Sequence, residues 1–118
     1  MRTLICRWRA GAAEHELRLV PVAGTAGTPY LFGAEPHRRP IEVRDFHMMS
    51  TPVTQALWTH VMGSNPAERD EPRHPVDNVS WDHVTGASGF LDRINASEIL
   101  TAVAGSDRTL RFRLPSET

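Results

Sequence analysis

Few side chains in this sequence are able to do covalent or redox chemistry. Cys6 is the only cysteine, so the chain cannot form an internal disulfide or a thiolate-rich metal site. A lone thiol next to a short apolar run is typical of a small buried side chain, and we predict that role for Cys6. All 13 basic residues are arginine, which excludes Schiff-base and lysine general-base chemistry from this segment.

The six histidines are scattered along the chain and do not form a compact set of metal ligands. His74 precedes a proline and is distant in sequence from His60 and His83, so we predict a structural loop residue. Asp82 stands beside His83, which would suit acid–base chemistry if the two side chains met. Adjacent residues on a helix point in different directions, and the pair is therefore predicted to be a solvated first turn.

The remaining polar candidates also have structural interpretations. Glu68, Asp70 and Glu71 could bind a hard cation, but they lack the glycine and carbonyl spacing of a calcium loop. Ser80 is not in a nucleophile-elbow sequence and is predicted to cap a helix. With 13 basic and 14 acidic residues, the chain is expected to have no nucleic-acid or membrane partner. We therefore assign no catalytic, cofactor-binding or metal-binding residue.

Short strands are predicted in the first third of the chain. Three apolar stretches indicate them, and they are Leu4 to Trp8, Leu17 to Val22 and Tyr30 to Phe32. The glycines and proline between positions 24 and 29 predict a turn, and Gly33 ends the third strand. Between Ile41 and Met48 the apolar face switches near Arg44 and Asp45, which predicts a strand with a β-bulge.

A first helix and a long loop follow. The helix is capped by Thr54, or by Thr51 with Pro52 at the first helical position, and it stops at Gly63. Residues 63–75 hold several prolines and charged residues and are predicted to form a loop.

A second helix is predicted from the cap Ser80 to Ile94. Glycines at positions 86 and 89 lower its intrinsic propensity by roughly 1 kcal/mol each. The helix must therefore depend on packing, and close approach of neighbouring backbone would explain the glycines. Trp58 and Trp81 lie on the apolar faces of the two helices and are predicted to be core residues rather than a ligand platform.

The end of the chain is typical of a strand followed by the start of a helix. Residues 108–114 alternate Leu110, Phe112 and Leu114 with polar positions. The last four residues, PSET, supply a strand stop, N-cap candidates and an acidic first turn. No helix follows within the given sequence, so this pattern begins an element that the sequence does not finish.

Several short strings occur in a specific order along the chain. They are LVPVAGT and FG at 19–25 and 32–33, VRDFHM and TPVTQ at 43–48 and 51–55, LW, VMG and NP within 57–66, HPV at 74–76, NVSWD at 78–82 and FRLPSE at 112–117. The ordered set resembles the formylglycine-generating enzyme family, also called the sulfatase-modifying-factor family. The resemblance implies that residues 17–118 are the N-terminal part of such a domain, truncated at the start of its RLPSET helix. Residues 1–16 would be an N-terminal extension or a first strand.

The resemblance also implies a fold and a location for the chemistry. The fold would be an irregular α+β fold of the C-type-lectin-like kind, of which this chain supplies the N-terminal portion only. In that family the copper-binding cysteines and the calcium sites lie in the C-terminal half, so no cofactor is expected in this segment. A complementing C-terminal segment or second chain is the expected partner, packed against residues 80–114. If Met1 is the native start, the absence of a signal-peptide-like or transmembrane stretch predicts a cytoplasmic protein.

Three functions are compatible with the sequence. The chain could be a non-catalytic scaffold or binding half of the domain, which is the function we favour. Joined to a C-terminal half with two suitable cysteines, it could belong to a copper-dependent oxidoreductase that converts a sulfatase cysteine to formylglycine. It could also be a lectin-like regulatory module that binds a ligand, protein or peptide. The related iron-dependent sulfoxide synthases need a histidine-bearing helical domain, which nothing in this sequence resembles.

Overall fold

The chain combines an antiparallel sheet with short helices, and a computed structural model describes residues 2–25, 30–32 and 39–115. The strands of that part are β1 (Leu4–Ala10), β2 (Ala13–Val22), β3 (Tyr30–Phe32), β4 (Arg39–Ile41) and β5 (Phe46–Met49). The helices are α1 (Gln55–Met62), α2 (Trp81–Thr85), α3 (Phe90–Asn95) and α4 (Glu98–Ala104). The predicted mixture of strands and helices is confirmed. Within these ranges no helix has both the length and the apolar character needed to cross a bilayer.

Strands β1 and β2 form an antiparallel hairpin that supplies one side of the core. Gly11 has a φ of 63°, a left-handed conformation that suits the tight turn between the strands. Cys6 pairs opposite Leu17, and both side chains are buried. The two strands predicted from the apolar pattern are confirmed. Strand β2 begins at Ala13, earlier than predicted, and the apolar pattern missed its first half because those residues are polar. The paired strands of the hairpin lie on both sides of the domain boundary that was predicted between residues 16 and 17.

Strand β5 pairs with β2 and completes a three-stranded sheet, whereas β4 pairs with β3 in a separate sheet. The single bulged strand predicted over residues 41–48 is therefore wrong. The residues between β4 and β5 are tied instead to the turn after β2. The Thr25 N–H donates to the Val43 carbonyl at 2.9 Å, and the Gly24 N–H donates to Asp45 Oδ1 at 2.8 Å. A Cβ at Gly24 would clash with the Val43 carbonyl, so this close approach requires glycine.

The core lies where the hairpin meets the helices. Its buried apolar side chains are Cys6, Leu17, Leu19, Leu57, Trp58, Phe90, Ile94 and Ile99. Trp58 is 4% exposed and stacks on Phe90, with ring centroids 4.9 Å apart and planes 2° from parallel. Offset stacking of two large rings adds to the free energy gained from burying them. The predicted core role of Trp58 is confirmed.

Helix α1 begins and ends at the predicted residues. Thr54 Oγ1 accepts a hydrogen bond from the Leu57 N–H at 3.2 Å, which makes Thr54 the cap rather than Thr51. Gly63 ends the helix with a φ of 86°, where a side chain would be strained. Residues 63–75 form the predicted loop, which contains neither a helix nor a named strand.

Gln55 anchors this loop from inside the protein. Its side chain is 4% exposed, and its Oε1 accepts hydrogen bonds from Asn65 Nδ2 and from the Glu71 N–H, both at 2.9 Å. Its Nε2 donates to the Pro75 carbonyl at 3.4 Å, and its main-chain N–H donates to the His74 carbonyl at 2.9 Å. One buried residue therefore organises both halves of the loop.

The single helix predicted over residues 80–94 is wrong, because the structure divides this segment into α2 and α3. The glycines at positions 86 and 89 lie at the break. An added Cβ would meet the carbonyl oxygen of Asp82 at 2.6 Å or that of His83 at 2.7 Å. Close approach of neighbouring backbone, the predicted reason for these glycines, is confirmed, and helix α2 ends because the backbone becomes extended at Gly86, whose ψ is 174°.

Helix α4 lies where no helix was predicted. Ser97 Oγ accepts a hydrogen bond from the Ile99 N–H at 3.2 Å, and Glu98 occupies the first turn. Ile99 is 1% exposed and joins the core. Gly105 ends the helix with a positive φ of 59°. The cap, the acidic first turn and the final glycine are the sequence signals that could have predicted it.

Residues 108–114 do not form the predicted strand, because within the described ranges no strand pairs with them. The side chain of Asn95 takes the place of a neighbouring strand. Its Oδ1 accepts from the Phe112 N–H at 2.7 Å, and its Nδ2 donates to the Phe112 carbonyl at 2.9 Å. Other predictions concern residues outside the described ranges, namely the turn residues Gly27 and Pro29, the strand stop Gly33 and the helix start Ser116 to Thr118.

Candidate functional site

Cys6, the one thiol of the chain, lies inside the core and is 9% exposed. Burial, and to a smaller degree the negative charge of Glu98, raise the pKa of the Cys6 thiol above its ordinary value of 9.0. The thiol is therefore neutral at physiological pH, and a neutral thiol is a poor nucleophile and a poor metal ligand. The predicted small buried thiol is confirmed.

Four side chains from distant parts of the sequence meet next to the hairpin. Trp8 of β1 stacks on His60 of α1, with ring centroids 5.1 Å apart, and lies 6.0 Å from the ring of His15. His60 Nε2 lies 2.8 Å from Oε1 of Glu98, the first residue of α4. A hydrogen bond from its own backbone, and then the bond to His60, hold the pKa of Glu98 below its ordinary 4.5. The Trp8 ring N–H is buried and has no hydrogen-bond partner within the described ranges.

We call Trp8, His15, His60 and Glu98 the aromatic–histidine cluster. A histidine–carboxylate pair is able to transfer a proton, so among the described residues this cluster is the best candidate for acid–base chemistry. One face of the His60 ring is covered by Trp8, however, and the nearby Cys6 thiol is neutral. The contacts join β1, α1 and α4, so the cluster cross-links the hairpin to two helices. Sequence reasoning missed it because its members are far apart along the chain and none belongs to a motif.

The acidic residues of the loop do not converge on a cation site. Glu71 Oε2 lies 2.8 Å from His74 Nδ1, a pair that closes one turn of the loop. The His74 N–H donates to the Glu71 carbonyl at 2.9 Å, and its own carbonyl accepts from the Gln55 N–H. His74 thus has the structural loop role predicted for it. Across the described residues no group of three histidine, cysteine or carboxylate side chains could hold a metal ion.

Ser80 and His83 form a reciprocal cap at the start of α2. Ser80 Oγ accepts from the His83 N–H at 3.1 Å, and His83 Nδ1 accepts from the Ser80 N–H at 3.3 Å. The predicted cap is confirmed. Asp82 points to solvent, and its carbonyl accepts from the Gly86 N–H at 2.8 Å. The Asp82–His83 pair is therefore a solvated first turn, as predicted, and not an acid–base pair.

A shallow surface depression of about 370 Å³ lies between the hairpin and the start of α1, lined by Arg7, Glu14, His15, Glu16, Thr54, Ala56, Pro72 and Arg73. Much of its charge is already neutralised, because Arg7 Nε lies 3.3 Å from Glu16 Oε2. A hydrogen bond from Arg18 is the main cause of the lowered pKa of Glu16. The N–H groups of Gln55 and Ala56 at the helix start are bound by loop carbonyls. The depression therefore does not present a helix terminus to an anion.

The most exposed large apolar side chain among the described residues is Trp81, which is 72% exposed. Its predicted core role is wrong. Helix α2 has only five residues, and none of them is buried, so its first residue lies away from the core. Leu110 and Leu114 are 36% and 37% exposed on either side of Phe112. Exposed apolar side chains thus occur at both ends of the segment 81–114.

Comparison with known proteins leaves the family unidentified. No family model and no curated protein matches the chain. Among solved structures, the chain is similar to Treponema denticola variable protein 1, with 25% sequence identity and a TM-score of 0.45. The similarity covers 65% of this chain, which spans 30% of the length of that protein. The resemblance to the formylglycine-generating enzyme family therefore stays a prediction from the sequence.

Proposed function

We propose that this chain is the N-terminal scaffold or binding half of a formylglycine-generating-enzyme-like domain of the C-type-lectin-like fold, in a cytoplasmic protein. The ordered strings over residues 17–118 support the family and the fold. By itself the chain is not a catalyst, because the chemistry of that family uses copper held by two cysteines. This chain has one cysteine, and its thiol is buried and neutral.

The observation that carries the binding role is the exposure of Trp81 on a helix that buries none of its residues. A short helix in water is marginal unless packing stabilises it.

The partner that fits this surface is a complementing polypeptide segment packed against residues 80–114. It could be the C-terminal part of the same domain or a second chain. Burying roughly 100 Å² of apolar surface contributes about 2.5 kcal/mol, and whole domains are stable by only about 5 to 15 kcal/mol. Covering Trp81, Leu110 and Leu114 would therefore supply a large share of the stability of the complete domain.

The catalytic part of the proposal is tested by mass spectrometry. The 118-residue chain is incubated with copper, oxygen and a sulfatase-type peptide that contains the target cysteine. We expect the peptide mass to stay unchanged and copper(I) to bind no more tightly than to a simple thiol. Conversion of the cysteine to formylglycine by this chain would overturn the non-catalytic assignment. Conversion only after a two-cysteine C-terminal half is joined to it would establish the oxidoreductase alternative.

The binding part is tested with an apolar fluorescent dye and matched surface variants. The isolated chain should bind the dye, and Trp81→Ser combined with Leu114→Ser should reduce the binding. Ile5→Ser combined with Met48→Ser is the control, because these side chains are 37% and 43% exposed elsewhere on the surface. Equal loss in both double variants would contradict the proposed surface. Stability of the monomeric chain at the upper end of the usual range of about 5 to 15 kcal/mol would contradict the need for a complementing segment.

A further inference from the structure

The backbone that carries Trp81 is held by local hydrogen bonds, although no residue of α2 is buried. The Trp81 carbonyl accepts from Thr85 Oγ1 at 2.9 Å. The reciprocal cap of Ser80 and His83 fixes the start of the same helix. The exposed indole ring therefore projects from an ordered backbone, and a partner that covers it would not have to order this segment first.

The residues before α2 are anchored to the loop 63–75. Asn78 Nδ2 donates to the Pro66 carbonyl at 3.3 Å. Asn78 has a φ of 59°, a left-handed conformation that asparagine adopts more readily than most residues. The chain therefore turns at a fixed point, with Asp77 before the turn and Trp81 after it.

The chain around Trp81 carries negative charge that it does not balance. Between Arg73 and Arg93 the sequence has no arginine or lysine, but it has aspartates at positions 77, 82 and 92. Among the described residues, no ion pair or side-chain hydrogen bond joins the carboxylate of Asp77 or Asp82 to a partner. Both residues are exposed, and Asp82 directly follows Trp81 in α2.

Neighbouring side chains do not supply the missing positive charge. His83 Nδ1 accepts from the Ser80 N–H, so the imidazole carries its proton on Nε2 and is neutral while it caps the helix. Asp92 Oδ2 accepts from the Ser88 N–H, and Arg93 Nε donates to the Ser88 carbonyl, both at 3.0 Å. These two opposite charges are thus bound at the break between α2 and α3. The carboxylate next to Trp81 is left for a partner.

We infer that the complementing segment places an arginine side chain on the face of the Trp81 ring, with Asp82 as its counter-ion. A guanidinium stacks on an indole ring and donates to a carboxylate at its own edge at the same time. Trp81 and Asp82 are about 100° apart around the helix, so their side chains do not meet each other, but one guanidinium can reach both. This inference rests on the proposed function and deepens it by naming the chemistry of the segment that covers Trp81.

A neutral sugar is the competing occupant, because sugar rings also stack on tryptophan and donate hydroxyl groups to carboxylates. Sites for small molecules are concave. Trp81 instead projects from the surface and is 72% exposed. A sugar would also leave the charge of Asp82 unbalanced, so the observations favour a cationic side chain of a polypeptide.

The test measures binding of two synthetic peptides to the 118-residue chain by NMR titration. One peptide alternates arginine with leucine, and in the other every arginine is replaced by citrulline, which has nearly the same shape and no charge. The indole N–H resonance that disappears in Trp81→Leu belongs to Trp81 and reports binding at this ring. We expect the arginine peptide to bind about fivefold more tightly than the citrulline peptide.

Two variants separate the contribution of the ring from that of the carboxylate, and the backbone amides of α2 follow binding in both. Trp81→Leu keeps an apolar side chain without the aromatic face, and Asp82→Asn keeps the shape without the charge. Each should reduce the preference for arginine to about twofold, and the double variant should abolish it. Glu42→Gln is the matched control, because Glu42 is an exposed carboxylate in the connection between β4 and β5. It should leave the fivefold preference unchanged.

The inference is overturned by any of four results. These are equal affinity for the two peptides, an arginine preference that persists in full in Trp81→Leu, an equal effect of Glu42→Gln and Asp82→Asn, and tighter binding of the disaccharide cellobiose than of the arginine peptide. If the dye experiment succeeds while the peptides do not discriminate, this inference fails and the proposed binding half stands. If the dye does not bind, the proposed function fails and this inference fails with it.

Discussion

Replacing Gln55 with methionine should release the loop 63–75 while leaving helix α1 formed. Methionine has nearly the length and volume of glutamine, so the change removes hydrogen-bonding atoms without opening a large cavity. Asn65 Nδ2 and the Glu71 N–H would both lose their acceptor, Gln55 Oε1, at 2.9 Å. The main-chain bond from Gln55 to the His74 carbonyl would persist.

The size of the effect follows from these two donors. A buried donor that loses its partner costs about 1 to 3 kcal/mol. Asn65 is half-buried and Glu71 is exposed, so water can replace part of each bond. We therefore use the lower end of the range and expect about 2 to 3 kcal/mol for the pair. This corresponds to about a 30- to 150-fold increase in the population of the open loop.

Amide hydrogen exchange, followed by NMR, measures this opening directly at the Glu71 N–H. In Gln55→Met the protection of the Glu71 amide against exchange should fall about 30- to 150-fold. The Trp58 amide within α1, which donates to the Thr54 carbonyl, serves as the internal reference. Gln55→Glu is the matched control, because its carboxylate can still accept both bonds. Unchanged protection of the Glu71 amide in Gln55→Met would refute the reasoning.

Three further predictions concern side chains of the helices. Trp58→Ala should cost about 3 to 5 kcal/mol in urea unfolding, because a 4%-exposed ring is lost, whereas Trp81→Ala should stay within about 0.5 kcal/mol; the reverse order would contradict the described burial. Ser80→Ala should cost about 1 kcal/mol and reduce the helical chemical shifts of α2, with no change expected in α1. The lowered pKa of Glu98 means that its stabilising charge is present above pH 4.5 and is lost as the pH falls below that value. Glu98→Gln should therefore reduce the pH dependence of stability in acid, by less than about 1 kcal/mol because the carboxylate is 75% exposed; an unchanged acid profile would count against the His60–Glu98 pair.

Local signals predicted the local features of the fold. Thr54 and Gly63 mark the ends of α1 because a hydroxyl cap and a left-handed glycine act within one turn of the chain. The strand-forming residues of the hairpin were visible for the same reason, since inward residues alternate with polar ones. Ser80 was identified correctly as a cap, although the helix that it begins is much shorter than predicted.

Features set by tertiary contacts could not be predicted in this way. Trp81 lies at helical spacing from Val84, which suggests an apolar stripe, but the break after α2 leaves the ring outside the core. The segment around Phe112 has the alternation of a strand, yet its described partner is the side chain of Asn95 rather than another strand. Such choices depend on contacts between residues that are distant along the chain, which no local pattern records.

The rate at which a reagent modifies the single buried thiol would report how often the hairpin opens. Cys6 is 9% exposed, so a thiol reagent should react with it much faster when β1 separates from the core, and the rate of modification then follows how often that separation occurs. Because the sequence contains no second cysteine, the signal has one source and needs no engineered label. Helix α4 contacts β1, and any partner that stabilises this arrangement would slow the modification of a residue that it never touches.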